Sequence, residues 1–197
     1  MEKKIIIYLI ILGSIFLQLE TIGKNNMEFE RSEYMNRKTE TAIYAGGCFW
    51  GVEYFLSKLE GVISTTVGYT GGNLDEPGYY DVVTGETGHA EAIQVIFDPD
   101  KISYEELTKN FFEIHDPTQK NRQGPDIGHQ YRSAVFYNSS EQKQITEKLI
   151  EILKNSGYDV VTELMPSGKF YPAEDYHQDY YDKKGSLPYC HGYTKRF

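Results

Sequence analysis

Apolar and polar positions recur with two different periods between residues 41 and 137. Apolar side chains recur every three or four positions over 52–59 and 104–114, which predicts two amphipathic helices. Alternating or β-branched runs predict four strands, over residues 41–45, 62–69, 89–97 and 131–137. The resulting order, β-α-β-β-α-β, is that of the ferredoxin-like split βαβ fold, with helices on one face of a largely antiparallel sheet. The predicted fold class is therefore α+β.

Extra helices, a strand and a loop-rich C-terminal tail follow or extend this core. Ser103 and Ser139, each with Glu or Gln three residues on, offer capping boxes, and Gly157 suits the position after a helix. Residues 159–164 predict a short strand and residues 173–182 a short helix. The remaining residues are rich in Gly and Pro, which predicts a tail dominated by loops.

The first 40 residues are composed differently from the rest. A short n-region with two lysines precedes the apolar residues 5–17, a run with the length of a signal-peptide core and too short to span a bilayer. Because no A-x-A-like cleavage site follows, residues 1–20 are interpreted as a signal peptide or an uncleaved N-terminal anchor. Residues 21–40 form a polar linker and residues 41–197 the globular domain. The expected location is exported or cell-envelope, in a bacterial periplasm or anchored to the membrane, with a cytoplasmic location as the alternative.

Charge and cysteine spacing exclude two classes of function. The net charge is −9, and residues 1–40 hold equal numbers of acidic and basic side chains, so the acidic excess belongs to the globular part. Nucleic-acid binding, which relies on Lys and Arg at phosphates, is therefore not expected. The two cysteines, Cys48 and Cys190, lack CxxC spacing, and His177 lies among acids and tyrosines, so neither pattern indicates a zinc site.

The segment Gly-Gly-Cys-Phe-Trp-Gly at 46–51 holds Cys48 and the only tryptophan, Trp50. It lies between a predicted strand and a predicted helix, which places Cys48 at a helix start. Unpaired N–H groups and the helix dipole there favour a thiolate, the nucleophilic form of cysteine. The glycines allow a sharp bend. On these residues alone the alternative is a buried cysteine in a turn, with Phe49 and Trp50 as core aromatic residues.

Glu91 occupies an unusual position on the third predicted strand. Strand alternation places it on the same face as Ile93, Val95 and Phe97. Burial disfavours the charged form of a carboxyl group, so Glu91 is expected to be a neutral acid that can donate a proton. The alternative is that Glu91 lies at the solvated start of the strand.

Tyr79, Tyr131 and Asp126 lie close to predicted turns. The tyrosines can donate a hydrogen bond from their hydroxyl groups, but the chain has 17 tyrosines and many of them must be packing residues. Asp126 stands beside Gly and Pro, where aspartate is common for turn formation alone. The pattern by itself therefore favours packing and turn roles for these three residues.

Several motifs occur in order between residues 41 and 181. They are GGCFWG at 46–51, VGYTGG at 67–72, TGHAE at 87–91, HDP at 115–117, NRQGPD at 121–126, QYRS at 130–133 and YPAEDYHQ at 171–178. Together they resemble the signature of the A-class peptide methionine sulfoxide reductases. The resemblance covers nearly the whole predicted globular domain.

This resemblance implies a role for eight residues. Cys48 would be the catalytic cysteine, Glu91 the proton donor, and Cys190 a resolving cysteine that forms a Cys48–Cys190 disulfide. The implied substrate-binding residues are an aromatic wall and the polar groups around the sulfoxide oxygen: Phe49, Trp50, Tyr79, Asp126 and Tyr131. Two departures stand out, because the family often has Thr in place of His129, and some members have two tail cysteines where this chain has one.

The implied enzyme is a peptide-methionine (S)-S-oxide reductase that acts on free and protein-bound methionine sulfoxide and repairs proteins under oxidative stress. Thiols would supply the electrons, so no metal or organic cofactor is expected, and the expected partner is a thioredoxin-like reductant. The chain is expected to act as a monomer. Two alternatives stay open on sequence: an exported binding domain with a structural disulfide, and a general thiol oxidoreductase.

Overall fold

The structure is a computed structural model that describes residues 38–197. The predicted signal peptide or anchor, residues 1–20, and nearly all of the predicted linker, residues 21–40, lie outside the described residues. Residues 39–197 form one unit. None of the helices in this described part is long and apolar enough to cross a membrane.

Eight strands and five α-helices make up the described part of the chain. The strands are β1 (Glu40–Gly46), β2 (Val62–Thr70), β3 (Ala90–Phe97), β4 (Arg122–Gln123), β5 (Asp126–Ile127), β6 (Ser133–Tyr137), β7 (Glu163–Pro166) and β8 (Tyr171–Pro172). The helices are α1 (Phe49–Leu56), α2 (Tyr79–Val82), α3 (Tyr104–Ile114), α4 (Ser140–Asn155) and α5 (Tyr180–Lys184), with a 3-10 helix at His129–Tyr131. Strands β4 and β5 form a small hairpin, and the other six form one sheet.

The six-stranded sheet has the order β7-β6-β1-β3-β2-β8. Its four inner strands, β6, β1, β3 and β2, are antiparallel neighbours, as the ferredoxin-like arrangement requires. Strand β7 extends one edge in parallel with β6, and β8 extends the other edge antiparallel to β2. The predicted α+β, ferredoxin-like fold is therefore confirmed.

Side-chain alternation along β1 and β3 separates the two faces of the sheet. Tyr44, Ile93 and Val95 belong to the larger apolar cluster, which they share with buried residues of α1, α3 and α4. Ile43 and Ala92 belong to a smaller cluster on the opposite face. Full burial of one large apolar side chain contributes roughly 1.5–3 kcal/mol, so the larger cluster on the helix-covered face contributes more to stability than the smaller cluster opposite.

Both predicted serine caps are present. The Ser103 hydroxyl accepts the N–H group of Glu106, and the Ser139 hydroxyl accepts that of Gln142, each at 3.1 Å. The Gln142 side chain also donates to the carbonyl of Thr41 at 2.9 Å. This second bond attaches the start of α4 to β1, so the cap fixes the helix against the sheet as well as starting it.

Two predicted strand boundaries are wrong. Tyr131 ends the 3-10 helix, because its N–H group bonds back to the carbonyl of Gly128 at 3.0 Å, and β6 begins only at Ser133. The strand predicted over 159–164 lies at Glu163–Pro166. Before that point the N–H group of Val161 donates to Pro117 at 2.9 Å, so this backbone pairs with a loop and not with the sheet.

The helix predicted over 173–182 is confined to α5. Upstream of α5 the polar side chains bind strand β2: Gln178 accepts the N–H group of Val67 and donates to its carbonyl, at 2.9 and 3.0 Å. Asp179, immediately before α5, has a left-handed φ of 53° that a continuous helix excludes. Side-chain bonding to the sheet therefore replaces the expected first turns of helix.

The C-terminal tail, which follows α5, packs against the end of α3. The N–H groups of Gly192 and Thr194 donate to the carbonyls of Ile114 and Glu113 at 3.2 and 2.7 Å. The buried carboxylate of Glu113 accepts the N–H group of Arg196 at 2.9 Å. Because these bonds satisfy carbonyl groups that a helix end leaves unpaired, the tail has a defined course across the molecule.

Candidate active site

The bend between β1 and α1 places Cys48 at the start of α1, with 6% of its surface exposed. Gly47 has a φ of 97°, in the left-handed region that favours glycine, and a side chain there would begin 2.5 Å from Cβ of Gln123. A side chain at Gly46 would begin 2.8 Å from the ring of Phe111. The two glycines are therefore needed for the sharp bend that presents the cysteine.

Glu91 lies beside this bend on β3. Its carboxyl Oε2 accepts the N–H group of Phe49 at 3.1 Å, and only 3% of the residue is exposed. The alternative of a solvated strand start is therefore wrong. Burial raises the pKa of Glu91 to about 8, the Phe49 N–H group opposes this shift, and the nearby Asp126 and Cys190 add to it. The carboxyl group is therefore largely neutral at pH 7.

The side chains of the two cysteines contact each other at the bend. A hydrogen bond with Cys190, burial and the proximity of Glu91 raise the pKa of Cys48 well above its ordinary value, and the opposing N–H group of Trp50 is outweighed. The N–H group at the helix start does lower the pKa of Cys48, but the contact with Cys190 and burial have the larger effect. Hydrogen bonds with Cys48 and then with His191 lower the pKa of the less buried Cys190 to about 6. The tail sulfur is the first of the two to lose its proton.

Phe49 and Trp50 form the first turn of α1 and present aromatic surface beside the bend. The Phe49 ring is buried and its centroid lies 5.1 Å from that of His177. Trp50 stacks on Tyr180 with 3.8 Å between ring centroids and 9° between the planes. Its indole N–H group donates to Nδ1 of His177 at 3.1 Å. Both aromatic rings are therefore held in one orientation.

Tyr79 and Tyr131 bring hydroxyl groups to the same place. Burial and then the charge of Glu91 raise the pKa of both tyrosines, so each hydroxyl keeps its proton at neutral pH. Asp126 accepts the hydroxyl of Tyr189 at 3.0 Å through Oδ1, and its Oδ2 is buried with no partner among the described residues. A buried acceptor of this kind can bind a hydrogen-bond donor of a ligand.

The structure thus brings all eight sequence-predicted site residues to one end of the sheet: Cys48, Phe49, Trp50, Tyr79, Glu91, Asp126, Tyr131 and Cys190. They come from β1–α1, α2, β3, the β5 hairpin, the 3-10 helix and the tail. His129, the departure noted above, lies two residues from Tyr131, and its carbonyl accepts the guanidinium of Arg132 at 3.1 Å.

Three further residues of the site were missed by sequence reasoning. Glu174 accepts the hydroxyl of Tyr69 at 3.0 Å and the N–H group of Tyr79 at 2.9 Å, which fixes the start of α2. His177 orients the indole, and His191 contacts Cys190. The motif at 171–178 contains the first two, but nothing in its spacing distinguishes them from packing residues.

Within residues 38–197, no group of three His, Cys, Asp or Glu side chains is placed to hold a metal ion. A cavity of about 650 Å³ lies away from this site, between the starts of α3 and α4. Ser103 and Ser139 line this cavity, and Cys48 does not. The chemistry at the bend rests on the side chains already described. They define a thiol-dependent oxidoreductase with two cysteines in contact and a neutral acid beside one of them.

Comparison with known proteins identifies the family. Residues 40–196 match the family model described as peptide methionine sulfoxide reductase. The peptide methionine sulfoxide reductase MsrA of Sulfolobus acidocaldarius is 53% identical over 152 residues, which cover 77% of this chain and 86% of that protein. The chain therefore belongs to the peptide methionine sulfoxide reductase family. It is an oxidoreductase that reduces methionine sulfoxide to methionine, which decides against the binding-domain alternative.

Solved structures agree with this assignment. Mxr1 from Saccharomyces cerevisiae in its reduced form matches with a TM-score of 0.75 and 36% identity, over 82% of this chain and 94% of that one. Mxr1 from the same organism has also been solved in complex with Trx2 and matches with a TM-score of 0.54 and 27% identity, over 80% of this chain and 91% of that one.

Proposed function

We propose that this enzyme reduces the S epimer of methionine sulfoxide, free and in proteins, by attack of Cys48 on sulfur with Glu91 as proton donor. The main support for this proposal is the carboxyl group of Glu91. It is buried, accepts a hydrogen bond from the N–H group of Phe49, and is protonated near neutral pH because its pKa is about 8. A sulfoxide sulfur is a poor electrophile while its oxygen holds the negative charge. A neutral acid beside the nucleophile supports protonation of that oxygen.

In the first step the Cys48 sulfur bonds to the substrate sulfur while Glu91 gives its proton to the sulfoxide oxygen. The hydroxyl groups of Tyr79 and Tyr131 donate to the same oxygen and stabilise its charge. The thiol proton of Cys48 passes to the Glu91 carboxylate. The oxygen then moves from the substrate sulfur to the Cys48 sulfur as the bond between the two sulfurs breaks, which releases methionine and leaves Cys48 as a sulfenic acid. The substrate sulfur gains two electrons and the cysteine sulfur loses two, so no metal or organic cofactor takes part.

The aromatic wall holds the substrate methyl group. Trp50 is fixed by its stack on Tyr180 and its bond to His177, and Phe49 is packed against the same histidine. The apolar wall and the hydroxyl groups of Tyr79 and Tyr131 place methyl and oxygen on different sides of the reacting sulfur. This asymmetry supports selection of one sulfur epimer. Asp126 adds a buried acceptor for a hydrogen-bond donor of the substrate or of a bound water.

Cys190 then attacks the sulfenic acid, which forms a Cys48–Cys190 disulfide and water. The contact between the two side chains and the lowered pKa of Cys190 support this role. A thioredoxin-like protein reduces the disulfide, and it reaches the half-buried Cys190 more readily than the buried Cys48. The complex of the similar Mxr1 with Trx2 supports a partner of this kind.

We also propose that the chain is exported and acts in the cell envelope as a monomer. The two N-terminal lysines and the apolar run at 5–17 support export, by cleavage or as an anchor. Cell fractionation and sedimentation of the purified protein test the two statements, and a full-length chain found free in the cytoplasm would refute export.

The activity is tested with a racemic mixture of free methionine sulfoxide and dithiothreitol. We expect half of the substrate to be consumed, with the R epimer left over, as chiral chromatography measures. Cys48→Ser serves as the matched control for reduction by dithiothreitol alone. Consumption of both epimers would contradict the proposed selectivity, and consumption of neither would contradict the activity.

A further inference from the structure

His191 connects the tail to the bend at which Cys48 lies. Its Nε2 is 2.7 Å from the carbonyl oxygen of Gly46, and its Nδ1 is 3.1 Å from Sγ of Cys190. A carbonyl oxygen only accepts hydrogen bonds, so Nε2 must carry the proton of a neutral ring. Nδ1 then has a free lone pair that can accept a proton from Cys190.

The position of the ring is set by glycines. A side chain at Gly51, one turn into α1, would overlap the ring of His191 directly. At Gly47, a side chain would begin 3.4 Å from Cε1 of His191. The imidazole therefore fills a space that small residues leave open, with one nitrogen bound to the end of β1 and the other aimed at the tail sulfur.

We propose that His191 is the catalytic base of the resolving step, and this inference rests on the proposed role of Cys190. Nδ1 takes the thiol proton as the Cys190 sulfur attacks the sulfenic sulfur of Cys48. The S–S bond forms, the S–O bond breaks, and the leaving hydroxide takes a proton from the imidazolium to form water. The sulfenic sulfur is reduced by one unit and the Cys190 sulfur is oxidised by one, so the step balances without another reactant.

The need for a base arises from the change at Cys48. In the resting pair, the Cys48 thiol is the first cause of the lowered pKa of Cys190, and His191 is the next. Once Cys48 is a sulfenic acid, that thiol is gone and His191 stays. The other titratable groups that face the pair come from every neighbouring element: Glu91 of β3, Asp126 of β5, His115 after α3, Tyr181 of α5 and Tyr189 of the tail. The charge of Asp126 raises the pKa of Cys190, so the lone pair of His191 has to offset it.

The test follows the enzyme after one equivalent of methionine sulfoxide without reductant. Rapid quenching and mass spectrometry measure released methionine, the sulfenic acid trapped with dimedone, and the disulfide. His191→Gln is the main variant, because its amide can still donate to Gly46 but cannot act as a base. Lys195→Gln, an exposed change in the same tail, is the matched control.

We expect His191→Gln to release the first methionine at the wild-type rate and to form the disulfide at least about tenfold more slowly at pH 6.5, since only about 1% of an unassisted thiol is ionised there. The deficit should shrink as pH rises and disappear above about pH 9, where the thiol ionises unaided. Added imidazole should restore the rate of His191→Ala. A purely structural role would give a deficit independent of pH and no rescue.

Disulfide formation by His191→Gln at the wild-type rate at pH 6.5 would overturn the proposal, and so would a pH-independent loss. If His191→Gln does not fold, the imidazole rescue of His191→Ala and the displaced ring in Gly51→Ala decide the same question. Cys190→Ser distinguishes a failure of the resolving role of Cys190 from a failure of the base role of His191. If Cys190→Ser turns over repeatedly with a protein reductant, the resolving role itself fails; if it stops after one methionine while His191→Gln is normal, only the role of His191 fails.

Discussion

The two cysteines of this enzyme lie in regions that are built differently. The sheet half of the site (Cys48, Phe49 and Glu91) is fixed by the pairing of β1 with β3 and by the N–H bond from Phe49 to Glu91. The tail half (Tyr189, Cys190 and His191) is fixed by side-chain bonds to distant elements, from Tyr189 to Asp126 and from His191 to Gly46. One half is part of the core and the other is attached to it.

This difference matches two demands of the reaction. Proton transfer and attack on sulfur need groups held in a fixed geometry, which neighbouring strands provide. The tail covers Cys48 in the resting structure, so substrate has to displace it and the resolving sulfur has to return. Single hydrogen bonds contribute only about 0.5–1.5 kcal/mol each, so the tail can detach at modest cost while the sheet stays intact.

The largest expected effect is at Cys48. Cys48→Ser should abolish turnover, because no other sulfur is placed beside Glu91 when the tail is displaced. The change exchanges one atom in a turn and should leave the fold intact, as circular dichroism and the melting temperature would show. Residual activity near that of the wild type would mean that another group is the nucleophile.

Glu91→Gln keeps the shape of the side chain and removes the acid. We expect the rate of methionine release to fall by about 10²–10⁴-fold, the usual contribution of general acid catalysis. In the wild type the same rate should decline above about pH 8, where Glu91 loses its proton. Glu53→Gln, a second buried carboxyl change on α1, is the control and should keep the wild-type pH profile. A loss of less than threefold in Glu91→Gln would exclude Glu91 as the donor.

Glu91 should also make stability depend on pH. Its pKa is about 8 in the folded protein and about 4.5 in the unfolded chain, so the folded state binds the proton more tightly. The favourable contribution is complete below about pH 4.5 and is lost as pH rises through about 8. Denaturant unfolding should show that Glu91→Gln loses this pH dependence of the free energy of unfolding, about 5 kcal/mol in total. An unchanged slope would show that the folded carboxyl ionises normally.

A smaller effect is expected where the tail meets α3. Glu113→Ala removes the buried carboxylate that accepts the N–H groups of Arg196 and Phe197. The free energy of tail binding to α3 should weaken by about 1 kcal/mol, which should slow disulfide formation by about fivefold. The first methionine should still be released at the normal rate. The rapid-quench experiment measures both. An equal loss in both rates would show that the tail also supports the sheet half.

More of the sheet half than of the tail half could be predicted from the sequence. Period-2 alternation placed Glu91 on the apolar face of β3, and the glycine-rich bend placed Cys48 at a helix start, because both features follow from local patterns. The pKa of Cys48 was not accessible, since its largest cause is Cys190, a partner 142 positions away in the sequence. The roles of His191 and Tyr189 could not be predicted from the sequence either, because the residues that they bind lie on β1 and β5. The helix expected over 173–182 was wrong for the same reason, because Gln178 binds β2.

The most direct test of the division between the two halves is a single-turnover experiment on Cys190→Ser with excess methionine sulfoxide and a thioredoxin-like reductant. The sheet half alone should release one methionine per enzyme at the wild-type rate, after which Cys48 stays as a sulfenic acid and turnover stops. Dithiothreitol should restart turnover, because a small thiol can reach the sulfenic acid directly. If the first methionine were not released, or if turnover continued with the protein reductant, the two halves would not have the separate roles assigned to them.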